Sequence, residues 1–149
     1  MNYWEDIEIG LTIDLGTHYC EPGEVIAYAR EFDPQFFHLD EARAKQTMFG
    51  GLIASGWYTA SSMSRMMGDR MATRFRVATS PGFDDLRWHK PVYPGDTLSG
   101  TITFTEKKPS SKRPEIGSAK FRGEMLNQTR ELVMSVVHIA LFWRHPAAS

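Results

Sequence analysis

The chain has 149 residues, with 17 Lys and Arg against 18 Asp and Glu, a formal net charge of −1, 42% hydrophobic residues and 23% charged ones. That composition excludes a disordered or collagen-like polymer and suits one domain spanning 1–149, and the near-balanced charge leaves nucleic acid and anionic membranes without the electrostatic footprint of a principal partner. No apolar run approaches the roughly 20 residues of a membrane helix, the polar start Met1–Gly10 is unlike a signal peptide, and the single Cys20 excludes an internal disulfide, so the expected setting is cytoplasmic.

The first predicted element is a strand from Leu11 to Tyr19, where Leu11, Ile13 and Leu15 alternate with polar residues. Glu21-Pro22-Gly23 is a turn, and Val25, Ile26 and Ala29 recur at helical spacing in a short helix over Glu24–Glu31. Asp33-Pro34 ends it, because the residue before a proline is pushed out of the helical region. Asp40 is placed to cap another short helix through Lys45. The longest helical pattern runs from Leu52 to Arg70, with small and apolar residues on most of its faces, as in a helix surrounded by other structure.

Beyond Pro81 the pattern is all strand: Phe83–His89, Leu98–Glu106, Ile116–Met125 and Glu131–Trp143. Lys107–Pro114 reads as a hairpin loop and Asn127-Gln128 as a second turn. Such short loops join antiparallel neighbours. The apolar run Leu132–Trp143 fits a strand buried on both faces. The expected class is α+β, a long helix against an antiparallel sheet of about five strands.

The segment Phe32-Asp33-Pro34-Gln35-Phe36-Phe37-His38 holds the candidate chemistry. An aspartate and a histidine five positions apart are not helix neighbours, so a turn around Pro34 has to bring them together. A carboxylate accepts a proton from water, and an imidazole exchanges one near neutral pH. Taken alone the spacing is weak, and a turn aspartate with a packing histidine is the commoner meaning. His18, His89, His138 and His145 show no metal-ligand spacing, and His138, in an apolar strand, reads as a core or interface residue.

The whole window Phe32–Gly56, together with Leu86-Arg87-Trp88 and Pro91-Val92-Tyr93-Pro94-Gly95-Asp96, resembles the MaoC-like (R)-specific enoyl-CoA hydratase and acyl dehydratase family. The resemblance implies a single hot-dog fold, a curved antiparallel sheet wrapped around a long central helix. It implies reversible hydration of 2-enoyl thioesters, with Asp33 and His38 as the acid-base pair and the backbone N–H of Gly56 as the site for the thioester oxygen. Gln35, Ser55, Trp57 and Ser64 are the expected substrate contacts. Gln35 and Phe36 stand where the family has asparagine and proline, and Trp57 is bulkier than its usual residue, which would reshape the acyl pocket. Neither metal nor separate cofactor is expected, since coenzyme A arrives with the substrate. The expected partners are an acyl-CoA or acyl carrier protein thioester and a second copy of the chain, as homodimer or larger assembly. A hot-dog thioesterase and a non-catalytic acyl-CoA-binding subunit are the alternatives. The basic cluster Lys107, Lys108, Lys112 and Arg113 reads as a solvated loop, with coenzyme A phosphates as its functional alternative.

Overall fold

Hairpin-length links make β3 (Thr97–Pro109), β4 (Ile116–Leu126) and β5 (Leu132–Trp143) successive antiparallel neighbours in a computed structural model that describes residues 1–147. The two strands with long connections take the edges. β1 (Thr12–Tyr19) pairs with β3, and β2 (Val77–Trp88) pairs with β5, giving one sheet in the order β1-β3-β4-β5-β2. β2 begins six residues before the expected strand and runs through Pro81. An edge strand tolerates a proline, and the register of β2 shifts on both sides of Thr79.

Between β1 and β2 lie α1 (Pro22–Phe32), the one-turn helices α2 (Phe36–Leu39) and α3 (Glu41–Ala44), and α4 (Gly56–Met71). The Glu21 carboxylate accepts from the N–H groups of Gly23 and Glu24, so α1 starts at Pro22, earlier than its apolar spacing indicates. Asp40 caps α3 as expected, accepting from Arg43 N–H at 3.1 Å. α4 starts at Gly56, four residues after the predicted Leu52. Residues 52–54 are irregular instead, because Ile53 N–H bonds to Phe37 O (3.1 Å) and Ala54 N–H to Val92 O (2.7 Å).

α4 lies against one face of the sheet, closest to β1, β3 and β4. Its Met63 methyl would collide with a Cβ on Gly123 of β4 (2.4 Å), and its Met66 methyl would press closely on a Cβ at Gly100 of β3 (3.2 Å). Over β5 and β2 the fit is looser and cavities remain. At the far end of the sheet Trp4 donates from Nε1 to Ser118 O (2.9 Å), and Lys107 Nζ donates to the carbonyls of Glu5 (3.0 Å) and Ile7 (2.8 Å). Lys107 therefore tethers the N-terminal segment. It stands ten residues into β3, about 33 Å along the strand from the end that adjoins the start of α4. No helix among the described residues is long and apolar enough to cross a membrane.

Phe104 is fully buried and touches the rings of Phe75, Phe121 and Phe142 at centroid separations of 5.5, 5.3 and 6.2 Å. Phe104→Ala is expected to lower unfolding free energy by about 3–5 kcal/mol. Urea titration would read this as a lower midpoint with an unchanged slope.

Candidate active site

α1 ends at Asp33, whose N–H still bonds to Ala29 O (2.9 Å) while its own backbone has left the helix. Pro34 forbids continuation, and Gln35 N–H closes a tight turn on Asp33 O (2.8 Å). α2 then turns the chain once, so that His38 points back at the carboxylate. His38 Nε2 lies 3.2 Å from Asp33 Oδ2. Its Nδ1 lies 2.7 Å from Ile53 O. A carbonyl only accepts, so Nδ1 carries a proton, and Nε2 is the nitrogen that can exchange one with Asp33 or a ligand. The expected connecting loop is thus partly helical, and the turn of α2 is what aims the imidazole.

Asp33 is held from three directions. Gln35 Nε2 donates to Oδ1 (2.7 Å), and Ser55 Oγ donates to Oδ2 (2.7 Å), which also faces His38. Burial alone pushes the Asp33 carboxyl up, but the hydrogen bonds from Gln35 and Ser55 and the charge of His38 together outweigh it and hold the carboxyl below its ordinary value. The result is a carboxylate that stays ionised.

The same Ser55 hydroxyl accepts from Trp57 N–H (3.2 Å) as the N-cap of α4. Ser55 O takes the N–H of Tyr58 at 3.0 Å. Gly56 N–H, at the first helical position, meets no acceptor among the described residues, as helix geometry requires of leading N–H groups. Trp88 lies directly on Gly56, donating from Nε1 to Gly56 O (2.9 Å), and a Cβ at position 56 would collide with its ring. Glycine is therefore required here by an indole, a reason the sequence reading did not contain.

These groups border an open cleft of about 450 Å³, lined among others by Asp33, Gln35, His38, Gly56, Trp57 and Trp88. Two expected substrate contacts lie outside it. Ser55 is fully buried and uses its hydroxyl on Asp33 and the helix end, so it positions the carboxylate and does not reach a ligand. Ser64 lies eight residues after Gly56 along α4 and borders apolar cavities instead, because two helical turns carry it away from the cleft. Trp88 and the Ile53 carbonyl belong to the site and were not singled out from sequence. Trp88 had a signal, as a tryptophan in a segment that resembles the family, whereas a backbone carbonyl has none. His138 is remote from the cleft, on β5. Its ring stacks on Phe121 (5.0 Å, 11°) and burial pushes its pKa down to about 4.

An acid and an imidazole converge beside a free helix-start N–H, an arrangement able to exchange protons next to an oxygen that gathers negative charge. Comparisons with known proteins identify the family and the fold. The MaoC like domain family model matches residues 6–120, and the chain belongs to this family. It is 32% identical over 113 residues to the uncharacterized protein YdeM of Bacillus subtilis, covering 76% of this chain and 79% of that one. It is 31% identical over 115 residues to the 3-hydroxybutyryl-CoA dehydratase of Methylorubrum extorquens, covering 76% and 71%. The crystal structure of a MaoC-like dehydratase from Rhodospirillum rubrum superposes with a TM-score of 0.87 at 35% identity, covering 98% of this chain and 99% of that one. The fold is the hot-dog fold, shared with a double hot-dog protein of Mycobacterium tuberculosis at 20% identity and a TM-score of 0.80, over 99% of this chain and 46% of that one.

Ser55→Ala removes one donor to Asp33 and the cap of α4. It is expected to cost about 0.5–2 kcal/mol and to raise the Asp33 carboxyl toward its ordinary value of about 3.9. Because the folded-state value is depressed, Asp33 contributes stability that is present above its unfolded value and lost as pH falls through the folded one. In the variant that acid-side dependence shrinks. Carboxyl NMR titration of Asp33, with urea unfolding at several pH values, checks both effects.

Proposed function

We propose that this chain is a hydro-lyase that reversibly adds water to 2-enoyl thioesters, giving (R)-3-hydroxyacyl thioesters. The observation that carries the reading is the 3.2 Å approach of Asp33 Oδ2 and His38 Nε2 in a cleft that Gly56 also lines. Membership of the MaoC-like family, and the dehydratase named in Methylorubrum extorquens, support the same chemistry. The thioester acidifies its own α-carbon, so the proposed reaction calls on no metal or redox group.

In the hydration direction the thioester oxygen lies on Gly56 N–H at the positive end of α4, where charge gathers as the enolate forms. Ionised Asp33 takes a proton from water as the oxygen bonds to the β-carbon. His38 gives its Nε2 proton to the α-carbon. Asp33 is then protonated and His38 Nε2 is bare, and the short Oδ2–Nε2 contact returns the proton to the ring and resets the pair. Gln35 donates to Oδ1 and Ser55 to Oδ2, and together they hold the carboxylate in place beside His38. Dehydration runs the same steps backwards.

The active form in this reading is a homodimer. β2 leaves an open sheet edge with Val77 and Phe83 exposed, and hot-dog chains pair through such edges. Light scattering at micromolar concentration is expected to give at least twice the 17.0 kDa chain mass. The carrier in this reading is coenzyme A or an acyl carrier protein.

The test is hydration of enoyl-CoA substrates from C4 to C12, followed as loss of the conjugated-thioester absorbance, with product stereochemistry assigned. Asp33→Asn and His38→Ala are each expected to lower kcat by about 10²–10⁴. Retained turnover in either variant refutes the roles given to it, and free thiol release from acyl-CoA points to a thioesterase instead.

A further inference from the structure

The cleft of Asp33 and His38 has little with which to hold a phosphate. Besides His38, the basic side chains that line it are His89 and Lys90. His89 Nε2 lies 2.7 Å from Ser135 Oγ, and Lys90 Nζ is paired with Glu131. A coenzyme A thioester brings a diphosphate and a ribose phosphate to that mouth, and such a polyanion calls for cations that no carboxylate already holds.

Cations of that kind stand at the other end of β2. No acidic residue occurs between Asp69 and Asp84, and Asp69 is itself paired with Arg65 (3.7 Å). Arg74 and Arg76 are exposed, and among the described residues neither has a carboxylate within ion-pair distance. Arg76 lies over the Tyr3 ring (4.9 Å). With Trp143 it lines an open groove of about 660 Å³ and a second of about 330 Å³. Arg144 and His145, on the larger groove, are already held by Glu5 (2.7 Å) and Asp6 (3.3 Å), and Glu115 is its acidic lining residue, which leaves Arg76 to meet an anion there. Trp143 is 44% exposed, so an aromatic face adjoins a free guanidinium, the two features that a purine nucleotide engages.

Within one chain this patch and the cleft are separated by the whole of β2, roughly 35–40 Å of strand. In a pair of chains they meet. β2 is an edge strand of 12 residues. Antiparallel pairing of two such edges about a two-fold axis at their middle, between Gly82 and Phe83, sets Val77 near Trp88 of the partner subunit and Arg76 near His89 of the partner subunit. Residues 88–92 line the cleft. Each copy thereby carries its arginines from the far end of its own sheet to the mouth of the other copy's cleft.

We propose that Arg74 and Arg76 bind the nucleotide phosphates of coenzyme A in trans, at the cleft of the second copy, with Trp143 beside the adenine, and so select a coenzyme A thioester over one on an acyl carrier protein. The proposal rests on the proposed hydration and homodimer.

The experiment compares wild type with Arg74→Gln/Arg76→Gln, with thermal unfolding as the check on folding. KM is measured for crotonyl-CoA and for crotonyl-pantetheine, and coenzyme A binding is measured by calorimetry at low and high salt. The double variant is expected to raise KM for crotonyl-CoA and Kd for coenzyme A at least tenfold, to leave KM for the pantetheine thioester unchanged, and to flatten the salt dependence of Kd. Should it unfold, Arg76→Gln alone carries the same comparisons. The arrangement in trans is read from a mixed dimer, one chain Asp33→Asn and the other Arg74→Gln/Arg76→Gln, isolated through two affinity tags. One of its clefts joins an intact Asp33 to intact arginines of the partner subunit, so the wild-type KM returns. A mixed dimer that keeps the raised KM, equal effects on both thioesters, or unchanged coenzyme A binding overturns the proposal. Calorimetry needs no turnover, so a protein that binds coenzyme A with the expected loss in the variant but hydrates neither thioester refutes the proposed reaction and not the nucleotide site.

Discussion

One hydroxyl joins the two halves of the site. Ser55 Oγ donates to the Asp33 carboxylate and accepts from the first turn of α4, so the acid at the end of α1 and the helix start are set by the same atom. Sequence brings Asp33 and Ser55 no closer than 22 positions, and the geometry between them depends on Ile53 and Ala54 remaining outside the helix. If α4 began at Leu52, the Ile53 carbonyl would turn along the helix and His38 would lose the acceptor that fixes its Nδ1 proton. The late start of α4 is therefore a condition of the chemistry.

The sheet provides the frame for that condition. Gly100 and Gly123 open recesses on β3 and β4 into which Met66 and Met63 fit, and this seats α4 over one side of the sheet. Thioether side chains fill such irregular spaces at little conformational cost. The helix start is thereby held against the end of β2, where Trp88 closes over Gly56. The looseness over β5 and β2 is the other side of the same placement.

The architecture was legible because it rests on periodicity and turn chemistry. Alternation located β1 and β3, the apolar run located β5, and Asp40 and Pro34 marked helix limits correctly. The errors fall where tertiary contacts override local preference. Pro81 hid the first half of β2, since only an edge position makes a proline acceptable there. Apolar spacing extended α4 back to Leu52, since nothing local shows that Val92 and Phe37 hold residues 53–54 by their backbones. Within the site, Asp33, His38 and Gly56 were readable as a resemblance, and their convergence was not readable from spacing. A hydroxyl beside a helix start has two uses, to meet a ligand or to cap the helix, and the burial of Ser55 with its bonds to Asp33 and Trp57 shows the second in place. Ser64 enters through the resemblance alone, and the rise of α4 carries it from the cleft to the apolar cavities.

All the groups that would move protons, and the amide that would meet the oxyanion, come from residues 33–56, one uninterrupted stretch of chain. The facing wall of the cleft comes from elsewhere, from Trp88 at the end of β2 and the segment that follows it to Val92. A change in that wall can therefore alter what the cleft admits while leaving the reactive stretch as it stands.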